Sequence, residues 1–219
     1  CVRLERTLIK KEAFAPVYAL IEAGDQRAAI QACEQLMEAQ PKYAIDFIRL
    51  KCDLCITLGD YAEAERVYRQ VLETRALPWA RMGFGKALFL QDKFEEAEDI
   101  FQEVVASNPQ YLEAYDWLAD AHEAVGKGEQ ALAALAAGVE LSPNTLPRQR
   151  KLGIVARRNG DLDTAEKAFA TVVQNGKYSY FRRPEDYADL GDVMAAKGDF
   201  KEALSLMGEG ECFHREERL

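Results

Sequence analysis

A short phrase that returns at a nearly fixed interval constrains this chain more than any other feature of its sequence. A glycine is followed by an aspartate and, five residues after the glycine, by an alanine, most plainly at 59–64 and 160–165. The aligned alanines are separated by 35, 33, 34, 34 and 38 residues and stand at Ala29, Ala64, Ala97, Ala131, Ala165 and Ala203. Such a period predicts stacked repeats, each of which buries its apolar face against its neighbours.

Each phrase has the residues that end one helix and begin the next. Glycine adopts the left-handed conformation found at helix ends, and the aspartate after it can cap the following helix. A glutamate three residues after the aspartate completes an acidic capping box at Asp60 with Glu63, at Asp92 with Glu95 and at Asp199 with Glu202. We therefore predict a tight turn between two antiparallel helices at every phrase.

The residues around each repeated alanine predict how the two helices of a repeat pack. The alanine lies one turn into the second helix, where its small side chain lets the first helix approach closely. The facing residue, twelve positions earlier, is small in five of the six repeats, and Val17 is the exception. A bulkier residue follows the alanine by four positions and is expected to fill the core, at Cys33, Tyr68, Phe101, Leu135, Phe169 and Met207.

With its period near 34 residues, its small and aromatic packing positions and its prolines at Pro41, Pro109 and Pro143, the chain resembles the tetratricopeptide repeat family. The resemblance implies an all-α fold, a right-handed α-α superhelix of about six helix-turn-helix repeats. These repeats span residues 10–43, 45–77, 78–111, 112–145, 146–183 and 184–210. Pro16 departs from the family pattern, and we expect it in the first turn of a helix that starts near Phe14 or Ala15.

The repeats are expected to form one array over residues 13–210. Residues 1–12 are charged and only partly periodic, so we interpret them as a leading helix or a linker. Residues 211–219 form a tail too short to cap an array, which predicts a truncated end and uncapped edges through which two copies could form a homodimer. The fifth repeat contains a longer basic and aromatic loop at 175–183, with Tyr178, Tyr180 and Phe181.

Composition and charge limit the classes of partner. The formal net charge of −9 disfavours nucleic acid, because phosphate contacts need surplus lysine and arginine. No apolar run approaches the roughly 20 residues of a membrane helix, so no membrane contact is predicted. Residues 92–140 contain 12 acidic and 2 basic residues, whereas residues 141–183 contain 3 acidic and 9 basic ones. These segments either neutralise each other between adjacent repeats or form a two-signed groove that orients a partner.

In the family that this chain resembles, the first helices of the repeats form a concave face, which implies a groove here that binds a protein or peptide. Its predicted residues are Arg49, Asp53, Trp79, Met82, Lys86, Phe89, Asp116, Asp120, Glu123, Arg150, Arg157 and Arg158. We expect an extended or helical ligand with charged patches and an apolar anchor near Met82 and Phe89. The alternative is that the acidic residues of the fourth repeat, 116, 120 and 123, pair with Arg150 and Arg157. Each exposed pair would contribute about 0 to 1 kcal/mol.

The sequence predicts no catalytic, metal or cofactor site. Cys52 and Cys55 form a C-x-x-C, but they fall at inward helix positions and lack the second pair of ligands that zinc needs. His122 stands where the family has an aromatic residue, which predicts a core histidine. Residues 83–86 match a phosphate loop only in part and lie within a predicted helix. We therefore expect a non-enzymatic protein without cofactors.

Several stretches are similar to a narrower group, the bacterial response regulators in which a receiver domain is followed by tetratricopeptide repeats. They include residues 77–81, 114–119, 160–166 and 183–187. The resemblance implies a signal-transduction scaffold of a two-component system, and the unpaired cysteines favour the cytoplasm. Two alternatives remain open. One is a lipoprotein that assembles pili or outer-membrane proteins, with Cys1 as its acylated residue, and the other is an accessory domain of an enzyme.

Overall fold

A computed structural model of the chain consists of helices joined by short turns. It describes the backbone of residues 2–177, 179 and 183–216 and the side chains of residues 12–177, 179 and 183–210. The helices are α1 (Val2–Glu22), α2 (Gln26–Ala39), α3 (Ala44–Leu58), α4 (Tyr61–Thr74), α5 (Pro78–Phe89), α6 (Phe94–Ser107), α7 (Leu112–Ala124), α8 (Gly128–Leu141), α9 (Leu146–Arg158), α10 (Leu162–Gly176), α11 (Glu185–Ala196) and α12 (Phe200–Glu216). A short 3-10 helix, Pro41–Tyr43, precedes α3. The described residues contain no strand, which confirms the predicted all-α class.

The helices form two units, Cys1–Ile100 and Phe101–Leu219. Within the first unit, α2 packs against α1 and α3, and α4 packs against α3 and α5. Within the second unit, α8 packs against α7 and α9, α10 against α9 and α11, and α12 against α11. Each of these second helices except α12 therefore contacts both its own partner and the first helix of the next repeat, which is the packing that the repeat predicts.

The turns have the predicted left-handed glycine at five of the six phrases and the predicted aspartate cap at four. Five glycines adopt positive φ values between 76° and 90°, at Gly24, Gly59, Gly126, Gly160 and Gly198. The side chain of Asp60 accepts a hydrogen bond of 3.3 Å from the backbone N–H of Glu63, and the equivalent caps form at Asp25, Asp161 and Asp199. The predicted cap at Asp92 is wrong. Because this phrase has no glycine, Asp92 itself adopts the left-handed conformation, with φ 61°, and Lys93 precedes α6.

The repeated alanines and the bulky residues after them form the core. All six alanines are buried, and so are Cys33, Tyr68, Phe101, Leu135 and Phe169, as predicted. The prediction is wrong at Met207, which is 38% exposed. Its helix, α12, has no described helix packed beyond it, so the face that is covered in the earlier repeats stays open here.

The first and last helices are longer than predicted. The helix that was expected to start near Phe14 begins at Val2, so Pro16 lies inside α1 and residues 2–12 continue into the first repeat. Proline leaves the carbonyl of Glu12 without its helical donor, but Glu12 is exposed and water can supply that hydrogen bond. At the other end, residues 211–216 of the predicted tail belong to α12. Tyr178, Tyr180 and Phe181 of the predicted aromatic loop lie outside the described residues.

Candidate functional site

The predicted groove residues of the first unit that remain accessible lie on α3 and α5, and are here called the Trp79 patch. It consists of Arg49, Asp53, Trp79, Lys86 and Phe89. The guanidinium carbon of Arg49 lies 5.7 Å from the centre of the Trp79 ring, a cation–π distance that joins the two helices. Asp53 follows Arg49 by one helical turn, and Lys86 follows Trp79 by two, so each helix presents its residues on one face.

The aromatic members of the Trp79 patch pack edge-on against neighbouring rings. The ring of Trp79 lies edge-on to that of Tyr68, with 6.2 Å between the ring centres, and Tyr68 is buried. Phe89 lies edge-on to Phe94 at 5.1 Å. Both rings are half-buried, so each has an accessible edge in a fixed orientation. Rigid aromatic side chains of this kind lose little conformational entropy when a ligand binds.

Met82, predicted as an apolar anchor of the groove, is a core residue. Its side chain is 1% exposed, so it is not available to a ligand. The prediction placed Met82 in the groove because of its position in the family pattern. Methionine is long and flexible, however, and at this position its side chain fills space in the core. Phe89, the other predicted anchor, is half-buried, and so is Trp79, so both rings remain partly accessible.

In the second unit, the acidic groove residues of α7 bind basic residues of α9. Asp116 accepts two hydrogen bonds from the guanidinium of Arg148, at 2.7 and 2.8 Å, and Asp120 pairs with Lys151 at 2.7 Å. Glu123 pairs with Arg158 at 3.3 Å. The expectation that adjacent repeats neutralise each other is thus met for these residues. The predicted partners, Arg150 and Arg157, are wrong.

Arg150 and Arg157 bind the next first helix, α11. Arg150 is 8% exposed and donates two hydrogen bonds, of 2.6 and 2.7 Å, to the buried carboxylate of Asp186. Arg157 lies 3.2 Å from Asp192 and 3.5 Å from Asp189. Arg150 is therefore a structural residue and not an accessible one, contrary to the prediction. Of the six charged groove residues in this unit, Arg158 is the most exposed.

The ion pairs between repeats act on carboxylates that are partly withdrawn from water. Burial raises the pKa of Asp120 although its hydrogen bond with Lys151 opposes this, and burial likewise raises the pKa of Asp189 against the attraction of Arg157. A partly buried carboxylate that lost its cation would keep the cost of desolvation without the compensating charge. These residues are consequently better explained as contacts between repeats than as ligand-binding groups.

A cleft that the sequence did not reveal lies between α2 and α4, with α3 as its floor. This α2–α4 cleft has a volume of about 250 Å³. Its lining has five apolar and four polar or charged residues and consists of Met37, Ile45, Ile48, Lys51, Arg66, Val67, Gln70, Val71 and Thr74. The signal that could have revealed it is Lys51, a charged residue next to the inward position of Cys52.

The charges beside the α2–α4 cleft form a neutral network. The ammonium group of Lys51 is buried and donates hydrogen bonds to Glu34 at 2.6 Å and to Glu63 at 2.8 Å. Burial alone would lower the pKa of Lys51, but these hydrogen bonds outweigh it and raise the pKa. Hydrogen bonds from Arg66 and Lys51 lower the pKa of Glu63 to about 2. The network fixes the rim of the cleft and offers no surplus charge to a ligand.

Three cysteines in the first unit are expected to resist modification in the folded protein. Cys33, Cys52 and Cys55 are buried, and burial raises the pKa of Cys52 to about 12 and that of the other two to about 11. Since the thiolate is the reactive form, a disulfide reagent at about pH 8 should leave all three unmodified until the chain is unfolded in guanidinium. The measurement needs a variant with Cys1 and Cys212 replaced by serine. Labelling of Cys52 before unfolding would contradict the burial.

The remaining predictions about chemistry concern His122 and residues 83–86. His122 is buried in α7, which confirms a core histidine. Residues 83–86 lie within α5, and a side chain at Gly83 would collide with the ring of Tyr68, so close helix packing explains this glycine. In the part of the chain that the structure describes, no three His, Cys, Asp or Glu residues are grouped to hold a metal ion. No described helix has the length and apolar character needed to cross a bilayer.

Comparison with known proteins identifies the repeats. Two family models of the tetratricopeptide repeat match residues 56–111 and 88–153. No curated protein matches the chain significantly. Similar solved structures include MamA residues 41 to the end from Desulfovibrio magneticus RS-1, with 22% identity and a TM-score of 0.66 over 78% of this chain and 96% of that one.

Two further structures cover more of this chain. A tetratricopeptide repeat protein from Parabacteroides merdae ATCC 43184 has 14% identity and a TM-score of 0.67, and the match covers 91% of this chain and 77% of that one. YrrB, described as a TPR protein with an unusual peptide-binding site, has 21% identity and a TM-score of 0.64 over 83% of this chain and 91% of its own. At these identities the likeness shows a shared fold, an array of helical repeats.

Proposed function

We propose that this array of tetratricopeptide repeats is a non-enzymatic scaffold that binds a segment of a partner protein at the Trp79 patch. The observation that carries the proposal is the Arg49–Trp79 pair, which places an exposed cation over a half-buried ring on adjacent first helices. Tryptophan and arginine are among the residues in which binding hot spots are enriched. Arrays of this fold are suited to protein–protein interaction, and YrrB is a relative in fold whose description names a peptide-binding site.

The chemistry of the patch indicates the kind of segment that it binds. Arg49 is exposed and can pair with a carboxylate, while Trp79 and Phe89 offer apolar edges. We therefore expect an extended segment that combines an acidic residue with an aromatic or aliphatic anchor. The acidic residues of α7 contribute little to this recognition, because Asp116, Asp120 and Glu123 are engaged by α9. Reversing their charge would therefore disturb the packing between repeats.

The narrower assignment rests on the sequence. We propose that the chain is the output segment of a cytoplasmic bacterial response regulator, on the basis of stretches such as 77–81 and 183–187. The buried thiols of Cys33, Cys52 and Cys55 fit a reducing compartment. The mass and N-terminal sequence of the protein isolated from its source decide between the alternatives: a receiver domain before Cys1 supports the regulator, and an acylated Cys1 supports the lipoprotein.

A selection from a displayed peptide library provides the test of binding. The strongest peptide selected by the 219-residue chain is titrated calorimetrically against variants of the chain. Replacing Trp79 by alanine should raise the dissociation constant by about 30-fold, corresponding to the loss of about 2 kcal/mol at a hot spot. Arg49→Ala should have a smaller effect, which increases at low salt. Leu141→Ala, which changes an exposed apolar residue of the second unit, is the matched control.

A further variant distinguishes binding at the Trp79 patch from binding in the α2–α4 cleft. Ile45→Arg places a charge in the α2–α4 cleft and leaves the Trp79 patch intact. If the selected peptide loses affinity with Ile45→Arg but not with Trp79→Ala, the ligand binds in the cleft and the proposed site is wrong. Circular dichroism of each variant verifies that the helices are retained.

A further inference from the structure

The α2–α4 cleft contains a buried charged group that the packing of the repeats does not require. Lys51 stands thirteen residues before the repeated alanine, and the last four repeats have Phe84, Leu118, Leu152 and Leu190 at that position. The three leucines are buried. A buried ion pair often contributes no more stability than apolar residues of similar volume in its place. Helix packing therefore accounts for a leucine at this position but not for a lysine.

The ammonium group of Lys51 has one donor that can serve a molecule in the cleft. An ammonium carries three N–H groups, and Lys51 donates two of them, to Glu34 at 2.6 Å and to Glu63 at 2.8 Å. Its side chain is 7% exposed and lines the cleft. A charged donor that is largely withdrawn from water gains from an acceptor beside it, and a bound molecule can supply one.

The size of the α2–α4 cleft corresponds to one aromatic ring with a small substituent. Its apolar lining consists of Met37, Ile45, Ile48, Val67 and Val71, and its volume is about 250 Å³. A cavity of about 150 Å³ that is lined by apolar side chains binds benzene. The cleft therefore has room for a ring of that size and for a polar substituent that reaches the lysine.

Two other repeats have an aromatic ring of their own at the corresponding position. Ile48 stands sixteen residues before the repeated alanine, and that position holds Tyr115 in α7 and Tyr187 in α11, both buried. In those repeats the second helix has a glycine opposite the tyrosine, and a Cβ atom there would lie 3.1 Å from the Cβ atom of the tyrosine. The second repeat has Val71 instead of the glycine, yet the shorter Ile48 leaves a cleft beside it. A ring thus suits this place between a first and a second helix.

The charges around the cleft favour an uncharged ligand. Lys51 and Arg66 are balanced by Glu34 and Glu63, with which they form ion pairs. An anion would lie beside two glutamates and a cation beside two basic residues, so neither would recover the hydration that it loses on entering the cleft.

We propose that the α2–α4 cleft binds a small, uncharged aromatic compound that carries one hydrogen-bond acceptor, such as a carbonyl oxygen. The ring packs on Ile45 and Ile48, and the oxygen accepts the third N–H of Lys51. This site goes beyond the proposed partner binding and does not depend on it, since none of its residues belongs to the Trp79 patch.

Methyl NMR with acetophenone as the probe tests the site. The δ1 methyl signals of Ile45 and Ile48 should shift and saturate as acetophenone is added to the 219-residue chain, with a dissociation constant of about 1 mM or lower. The signal of Ile154, in the second unit, should not move. α-Methylstyrene has a CH₂ group in place of the carbonyl oxygen and should bind about tenfold more weakly, because it cannot accept the hydrogen bond from Lys51. Benzoate, the charged relative of the probe, should bind at least about tenfold more weakly.

Variants of the cleft separate the acceptor site from the apolar site. Lys51→Leu, which introduces the residue of three other repeats, should remove the preference for acetophenone over α-methylstyrene. Ile48→Tyr, which introduces the residue of two other repeats, should fill the cleft and abolish the binding of both probes. Leu58→Ala, at an exposed leucine at the end of α3, is the control and should change neither affinity. Circular dichroism verifies that each variant keeps its helices.

Three results would overturn the proposal. The first is that the signals of Ile45 and Ile48 do not shift up to the solubility limit of acetophenone. The second is that the parent chain binds acetophenone no more tightly than α-methylstyrene or benzoate. The third is that the preference for acetophenone persists in Lys51→Leu. None of these measurements uses a peptide, so a failure here does not bear on the Trp79 patch.

Discussion

Replacing Asp186 by alanine is expected to lower the free energy of unfolding by about 3–5 kcal/mol. The carboxylate of Asp186 is buried, accepts two hydrogen bonds from Arg150 and accepts a third, of 3.1 Å, from the backbone N–H of Arg183. Without it, the guanidinium of Arg150 remains desolvated in α9 and loses the negative charge that compensates it. Urea unfolding followed by circular dichroism measures the loss.

Asp192 provides the matched control for this substitution. It lies on the same helix and also pairs with an arginine of α9, but its side chain is 58% exposed and its distance to Arg157 is 3.2 Å. Asp192→Ala should therefore cost about 0 to 1 kcal/mol. Replacing both Arg150 and Asp186 by leucine should cost less than Asp186→Ala alone, because no buried charge is left uncompensated. Equal losses for Asp186→Ala and Asp192→Ala would show that burial does not set the strength of these ion pairs.

The helices were predictable because their signals are local. The glycine that ends a helix and the aspartate that caps the next act within one turn of chain, so Gly59 and Asp60 define a helix boundary without knowledge of the rest of the fold. The repeated alanine adds the packing of the pair. Together they predict a helix pair at each phrase, and the structure has one there.

The fold predictions failed where a residue departs from the repeat pattern or where burial depends on a neighbouring helix. Asp92 stands in the place of the glycine, and the left-handed conformation it adopts removes it from the capping position. Pro16 predicted a helix start, yet α1 continues through it, and Glu12, whose carbonyl loses its helical donor, is exposed. Met207 was predicted as a core residue from its place in the repeat, but it is 38% exposed. Its burial depends on what packs against α12, and the residues around Met207 contain no information about that.

For the predicted groove residues of the second unit, the charge of each helix was predictable, but the pairing of individual residues was not. The sequence shows that α7 is acidic and α9 is basic, and these helices do neutralise each other. Arg148 and Arg150 are two positions apart, however, which separates their side chains by about 200° around α9. One therefore turns to Asp116 of α7 and the other to Asp186 of α11. Which neighbour each arginine meets depends on the rotation of α9, and a count of charges contains no information about it.

Replacing Phe169 by alanine is expected to cost about 3–5 kcal/mol of unfolding free energy. Its ring is fully buried in the second unit, among residues of α9, α10, α11 and α12, and it fills the space that Gly153 leaves open on α9. The loss is again measured by urea unfolding. Met207→Ala changes the same position of the last repeat, where the side chain is 38% exposed, and should cost about 1 kcal/mol.

A second substitution at Gly153 identifies the cause of the loss. A Cβ atom at Gly153 would lie 2.7 Å from two carbons of the Phe169 ring, so Gly153→Ala should destabilise the parent chain by about 1–3 kcal/mol through overpacking. In the Phe169→Ala background the ring is absent, and the same change should stabilise the chain by up to about 1 kcal/mol, because alanine is the better helix former. The reversal of sign is specific to a contact between these two residues. If Gly153→Ala has the same effect in both backgrounds, the small residue on the first helix is not there to admit the bulky residue of the second.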